Sequence, residues 1–468
     1  MVNQSGAGLT GTWHLIGIGG IGVSAVARLL HARGVRVQGS DVRESQLTLA
    51  LRDLGMQVFI GHSADHLDGV DLVVRSTAIP ATNPELVAAA ERGVPIIHRS
   101  EVLGRLLEDR RSVGVIGTHG KGTVSGAVTW MLDAAGLEPG YLIGGLLLNY
   151  GDNARDGDTW MVAEVDESDG SLVNSRPTVA ILNNLELDHL NYYKDWEQLE
   201  GLVMRFFQDN ERLELAVINL DDPGARRVYE GLAPLREKGV KVVGFGFESE
   251  DADYRGASLV NQRMRGAFEL QHRERGVLGQ VQVGLPGAYN ASNMLGAIAA
   301  VVESGVDPEV ACAAVGSYRG LENRFTLVQA DGIEVVKDYI SHPTGIRRVL
   351  QAARGQADGP VVAVFKPYRF TMIHYLQDDY AEAFADADQV VVTELYTAGE
   401  VPIPGTDTDM LCRRIRERCD EVTYVHDIDA IPAWLNSNVE SPATVLFFGG
   451  DDLFQVADSY VTQRGGVA

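Results

Sequence analysis

The stretch "GVIGTHGKGTVSG" runs from Gly114 to Gly126, between a short apolar run and a helical pattern. It has the form of a phosphate-binding loop. Glycines let backbone N–H groups converge on phosphate oxygens, and a lysine reaches the β- and γ-phosphates. Gly117, Thr118, His119, Gly120, Lys121, Gly122 and Thr123 are therefore candidate ATP contacts. One letter departs from the pattern. A Walker-type loop places Ser or Thr directly after the lysine, and that hydroxyl holds Mg²⁺. Here Gly122 follows Lys121, and the hydroxyl of Thr123 comes one residue later.

On the N-terminal side, "WHLIGIGG" reads as a strand entering a second glycine turn, and "GVSAVARLLHARG" as the helix that follows. Gly17, Gly19 and Gly22 fit G-x-G-x-x-G, Gly20 lies inside the turn, and Asp41 ends the next strand. Such a turn admits a diphosphate to a helix N-terminus, and the acid is placed for a ribose. The turn alone does not separate NAD from another diphosphate ligand. "DLVVRST" and "VPIIHRS" add two more strands, so repeated βα units predict a doubly wound parallel sheet.

On the C-terminal side, "TWMVAEVDESDG", "TVAILNNLELDHL" and "LAVINLDDP" are apolar strands ending in polar residues. Ligands of open α/β sheets sit at such carboxyl ends. A third unit starts near "GLENRF", with strands at "GIEVVKDY", "PVVAVFKP", "QVVVTELY" and "ATVLFFGG". The reading is three domains, at 1–106, 107–318 and 319–468. The closing "TQRGGVA" is expected to fray.

Bulk properties agree. A chain of 468 residues exceeds a single core. A net charge of −24 argues against sequence-independent nucleic-acid binding, which needs a basic face. The three cysteines, Cys312, Cys412 and Cys419, have neither disulfide nor zinc spacing and read as reduced thiols of a cytoplasmic protein. The first residues lack the basic start of a secretory signal, and no long apolar run predicts a membrane span.

Two nucleotide-type loops opening successive α/β domains, followed by a third α/β domain, resemble the Mur ligases. The resemblance covers nearly the whole chain. It rests on "HLIGIGGIGVSAVARLL", "GSDVRES", "STAIPATNPE", "GTHGKGT", "AEVDESDGS", "NLELDHL", "GAYNASN", "DYISHP", "FKPYRF" and "AGEVPIPG". It implies a Rossmann-like N-terminal domain for a UDP-linked substrate, a central P-loop ATPase domain, and a Rossmann-like C-terminal domain for an amino acid. It also resolves the first loop: Gly17, Gly19, Gly20, Gly22 and Asp41 would face UDP.

The implied reaction is ATP-dependent amide formation through an acyl phosphate, with Mg²⁺, on UDP-N-acetylmuramate and most simply L-alanine, by a monomer or homodimer. Lys121, Glu164, His189 and Arg324 would be catalytic. Thr123, Glu164 and His189 would hold the metal. Asn290, Asn293, Arg324 and Asp338 would contact ATP, and His342 and Arg369 the amino acid. Taken singly, the same residues have plainer readings. The acidic run 164–169 could be a solvated loop, Asn290 and Asn293 helix N-caps, and Arg324 a surface ion pair.

Five positions, in four motifs, depart from the family pattern: Gly122, Tyr289, Lys337 with Ser341, and Tyr368. They leave open a family member with another amino acid or acceptor, or one that binds nucleotide without turnover. The loop itself resembles that of folylpolyglutamate synthases, where "GKGS" also brings the hydroxyl one residue late.

Overall fold

A computed structural model describes residues 9–190, 192–262 and 265–467. Residues 1–8, where the expectation about a secretory signal falls, lie outside the described part. The first sheet has five parallel strands, in the order Gln57–Ile60, Arg36–Asp41, Thr12–Ile16, Leu72–Arg75, Ile96–His98. Its order reverses beside Thr12–Ile16, so the glycine turn after that strand opens at the switch point, where a crevice forms.

The central sheet has ten strands. Arg111–Ile116 lies at its middle, between Trp160–Glu164 and Val179–Leu182, and both pairings are parallel. Beyond Val179–Leu182 follow Leu215–Asn219, Lys241–Gly246 and Tyr254–Gln262, again parallel. The remaining strands on that side, Arg265–His272 and Gly276–Val283, are antiparallel. This meander has no counterpart in the sequence reading. Its strands alternate only over short stretches, "AFELQ" and "QVQV", and Gly256, Gly266 and Gly279 interrupt the apolar pattern. The helix Ala288–Glu303 is buried along almost its whole length against this sheet and the helix Lys121–Ala134.

The third sheet runs Thr326–Ala330, Ile333–Asp338, Ala443–Phe448, Val361–Phe365, Gln389–Val392, Glu421–Tyr424. Only its first pairing is antiparallel. The last helix, Asp451–Gln463, passes the point where fraying is expected, because Arg464 donates to the Val439 carbonyl at 3.1 Å.

Two joints matter for the site. The helix Arg99–Glu108, which contains the expected divide at 106–107, packs on the central sheet as well as on its own domain. The segment before the third sheet returns to the central one. Leu148 N–H donates to the Gly320 carbonyl at 3.0 Å, and Glu322 N–H to the Leu146 carbonyl at 2.9 Å. Cys312, Cys412 and Cys419 are all buried and free.

Candidate active site

The carboxyl ends of three adjacent parallel strands converge on the loop 117–122. Gly117 continues Arg111–Ile116, Glu164 ends its neighbour, and Asn183 follows Val179–Leu182. Lys121 opens the helix and turns back over the loop. Its ammonium donates to the Gly117 carbonyl at 2.7 Å and to both Glu167 oxygens at 2.9 Å. Burial favours its neutral form, but Glu167 and Asp166 outweigh this and raise its pKa. The lysine is therefore a fixed cation.

Glu167 corrects the solvated reading of the acidic run. Its side chain is 3% exposed, it accepts from Lys121, and its backbone carbonyl accepts from the Tyr193 hydroxyl. His189 Nε2 lies 3.5 Å from Glu167 Oε1. Burial lowers the His189 pKa, and the Glu167 hydrogen bond and Asp188 more than restore it, for a net rise. Asp166, under Lys121, the Ser168 N–H and Arg99, is held down at about 2 despite burial. Asp166 thus carries a fixed negative charge beside the lysine, and the sequence pattern alone could not say which acid of the run faces inward.

Glu164 accepts from the Gly144 N–H. Burial raises its pKa, opposed by that N–H and by Lys121 and Arg324. A methyl placed on Gly122 would stand 3.4 Å from Glu164 Oε1, so the missing side chain leaves the carboxylate close against the loop. Thr123 follows in the first helical turn, and its carbonyl accepts from the Tyr318 hydroxyl at 3.1 Å.

Asparagines brace the loop from behind. Asn183 Nδ2 donates to the His119 carbonyl at 3.0 Å and to Asn293 Oδ1 at 2.8 Å. Asn184 Oδ1 accepts from His119 N–H at 2.7 Å. Asn293 donates to Asn290 Oδ1 at 3.2 Å, and Asn290 to the Pro286 carbonyl at 2.8 Å. Asn290 and Asn293 are not N-caps: Gly287 holds that position, and both lie inside the helix. Gly120, at φ 79°, has no room for a side chain, since a Cβ would meet Asn183 Nδ2 at 2.8 Å. Asn183 and Asn184 escaped the sequence reading, although "NNLELDHL" marks the strand end that carries them.

The C-terminal domain reaches the loop at two places. Arg324 donates to the Tyr339 carbonyl at 2.8 Å, and its charge is felt at Glu164. Asp338 accepts from Phe325 N–H at 2.9 Å, and burial lifts its pKa to about 6, against Arg324 and that N–H. His342, 6% exposed, caps the helix Pro343–Arg354 and lies 3.5 Å from Glu186 Oε1. Glu186 also binds His119 Nε2, and its pKa sits at about 2, the burial effect being overcome by that imidazole. Arg369, at φ 63°, stands elsewhere, over the Tyr368 ring and 3.7 Å from Glu400. His342 and Arg369, grouped in the sequence reading, thus have separate partners.

Of the departures, Lys337 turns away from the loop to pair with Asp458 at 2.6 Å. Tyr368 stacks on Tyr396, with ring centroids 5.7 Å apart.

The first glycine turn is held within its own domain. Gly19 N–H donates to Asp41 Oδ2 at 2.9 Å, and Gly17 N–H to the Ser40 carbonyl at 2.8 Å. Gly20 precedes the helix Ile21–Ala32. Gly22, Arg99, Asp166 and Glu164 line one small pocket beside this turn. Arg99 donates to Asp166 at 2.9 Å across it.

Residues 12–111 match the Mur ligase family, catalytic domain; 115–301 the Mur ligase middle domain; and 323–450 the Mur ligase, glutamate ligase domain. The UDP-N-acetylmuramate–L-alanine ligase of Brucella anthropi is 37% identical over 457 residues, covering 96% of each chain. That of Symbiobacterium thermophilum is 39% identical, over 95% of this chain and 92% of its own. The crystal structure of UDP-N-acetylmuramate-alanine ligase from Thermotoga maritima superposes with a TM-score of 0.80 at 26% identity, covering 97% of this chain and 99% of that one. A murein peptide ligase from Psychrobacter arcticus shares the fold, with a TM-score of 0.70 at 23% identity, over 98% of this chain and 99% of that one.

Proposed function

Since this chain belongs to the Mur ligase family, we propose that it joins L-alanine to the carboxylate of UDP-N-acetylmuramate, driven by ATP, in peptidoglycan synthesis. The observation that carries this is that Gly22 of the first glycine turn shares a pocket with Arg99, Asp166 and Glu164, and that Glu164 stands close against Gly122 of the phosphate loop. A substrate held by its diphosphate at Gly17, Gly19, Gly20 and Gly22, with its ribose toward Asp41, would extend its acyl end toward Lys121.

In this reading the carboxylate attacks the γ-phosphorus, and ADP leaves. The amine then attacks the acyl carbon of the acyl phosphate, and phosphate departs. Two anions must approach, so catalysis is chiefly charge neutralisation and alignment. Lys121 moves from Glu167 to the phosphates. The loop backbone, held at His119 by Asn183 and Asn184, needs no reorganisation. Arg324, brought by the C-terminal domain, adds positive charge, and Asp338 holds the backbone beside it. Asn290 and Asn293 would support the nucleotide side of the loop, and His342 and Arg369, from their separate places, would contact the amino acid.

Thr123, Glu164 and His189 would hold a magnesium ion. Glu164 presents a carboxylate against the loop, Thr123 brings a hydroxyl in the first turn, and His189 stands beside Glu167. Mg²⁺ bound there would neutralise charge between phosphate and carboxylate. Among the described residues no helix is long and apolar enough to cross a membrane; we place the reaction in the cytoplasm, where ATP is available.

The test is release of ADP and phosphate by the purified protein. It should require both UDP-N-acetylmuramate and L-alanine. Failure of turnover with that acceptor across a panel of amino acids defeats the assignment.

A further inference from the structure

We propose that His119, Glu186 and His342 form a binding site for a zinc-class divalent cation that ties the phosphate loop to the C-terminal domain. Among the described residues, this is the one group of three His, Cys, Asp or Glu side chains whose ligand atoms all lie within 4.8 Å of one another. Each comes from a different piece of chain. His119 belongs to the loop, Glu186 to the segment after Val179–Leu182, and His342 to the N-cap of Pro343–Arg354.

The donor set selects the ion. Two imidazoles and one carboxylate, with a fourth position for water, suit zinc, whereas Mg²⁺ prefers oxygen alone. Bonds of about 2.0–2.2 Å in a tetrahedron separate donor atoms by about 3.3–3.5 Å. His342 Nδ1 and Glu186 Oε1 already stand 3.5 Å apart. His119 Nε2 touches the same oxygen more closely and would rotate outward to admit the ion.

The surroundings are those of a built site. Thr344 Oγ1 donates to Glu186 Oε2 at 2.8 Å, which turns Oε1 toward the imidazoles, as outer-shell partners of metal ligands do. The buried ring of His342 is loosely committed. Its Nε2 has no hydrogen-bond partner, and its cap contact with Thr344 N–H is long, at 3.4 Å. The site shares no residue with Thr123, Glu164 and His189. An ion bound there would hold the loop against the C-terminal helix, and the domains would separate only on its release.

The experiment uses the full-length, metal-free protein in excess Mg²⁺, titrated with Co²⁺ and then Zn²⁺. One Co²⁺ per chain should bind with the visible absorption of a tetrahedral ion, and Zn²⁺ should displace it. His342→Asn keeps an N-cap acceptor for the helix, so the fold survives. It should weaken Zn²⁺ binding by a hundredfold or more. Thr344→Val, which leaves all three ligands, should weaken it about tenfold.

Absence of stoichiometric Co²⁺ binding, or unchanged affinity in a folded His342→Asn protein, overturns the proposal and leaves a hydrogen-bonded contact. So does a loss of affinity that follows His66→Asn instead. That result would put the ion at the separate group around buried Glu85, to which His66 Nδ1 approaches within 2.7 Å.

Discussion

The two glycine loops have the same local plan and opposite support. The first, Gly17 to Gly22, is completed by the neighbouring strand: the Ser40 carbonyl and Asp41 carboxylate take its N–H groups. Behind them, Ser40 donates to Glu85 at 2.6 Å, and His14, His62 and His66 surround that fully buried carboxylate. The second, Gly117 to Gly122, is completed by side chains remote in sequence: Glu167, Asn183, Asn184 and Asn293. Its outer edge meets the C-terminal domain through His119, Glu186 and His342. A loop that only holds a ligand can be finished by its own βα unit. A loop that must respond to several substrates is finished by the segments those substrates touch.

The largest expected effect separates the loops outright. Lys121→Ala should lower turnover by about 10³-fold or more, since it removes the cation nearest the transferred phosphate. Calorimetry should find UDP-ligand affinity unchanged. A parallel loss of that affinity would break the division of labour between the loops.

Glu85→Ala attacks the first loop from behind. It leaves the histidine group without its carboxylate, so unfolding should become easier by about 3 kcal/mol or more, read by denaturant titration. Glu85 is held at about 2, chiefly by the histidines and Ser40 acting against burial, so its stabilisation is present above pH 4.3 and lost as pH falls toward 2. ATP affinity of the folded fraction should not change.

The third prediction concerns the C-terminal domain's share of the second loop. Asp338 titrates near 6 in the fold and near 3.9 in an unfolded chain. Between those values the native state holds a proton that the unfolded chain has released. Stability should therefore fall as pH rises from about 4 to 6, by up to about 3 kcal/mol. Asp338→Asn should flatten this window in a pH series of melting curves, leaving the low-pH loss due to Glu85 intact.

Smaller effects sharpen the question of the displaced hydroxyl. Thr123→Ala should reduce kcat about 10- to 100-fold, as loss of a charge-assisted contact does. Gly122→Ala should change it by less than about threefold, because the added methyl meets Glu164 and Leu321 at 3.4 Å, an ordinary contact distance. Equal losses in the two variants would mean that the loop's shape, and not the Thr123 hydroxyl, is what matters.

The loops themselves were legible because each is a local device: glycines, a lysine and a helix start at fixed spacing after a strand. The acidic and asparagine-rich strand ends were legible as places, since polar residues closing an apolar run mark the carboxyl edge of a sheet. Which side chains face inward was not. Glu164 and Glu167 are three residues apart in one run, yet one meets the Gly144 backbone and the other meets Lys121. Lys337 and Asp338 are adjacent, and strand alternation sends one to Asp458 and the other toward Arg324. The antiparallel meander escaped because its apolar pattern is broken by glycines.

Sequence alone thus determined the three α/β units and the two glycine loops, because those depend on local backbone geometry and short spacing. Only the tertiary structure decided that Glu167 holds the lysine, that asparagines from two segments fix the loop, and that His342 belongs with His119 and Glu186. Those contacts join residues far apart in the chain. They form only when the sheet brings its strand ends to one edge and the C-terminal domain closes over it.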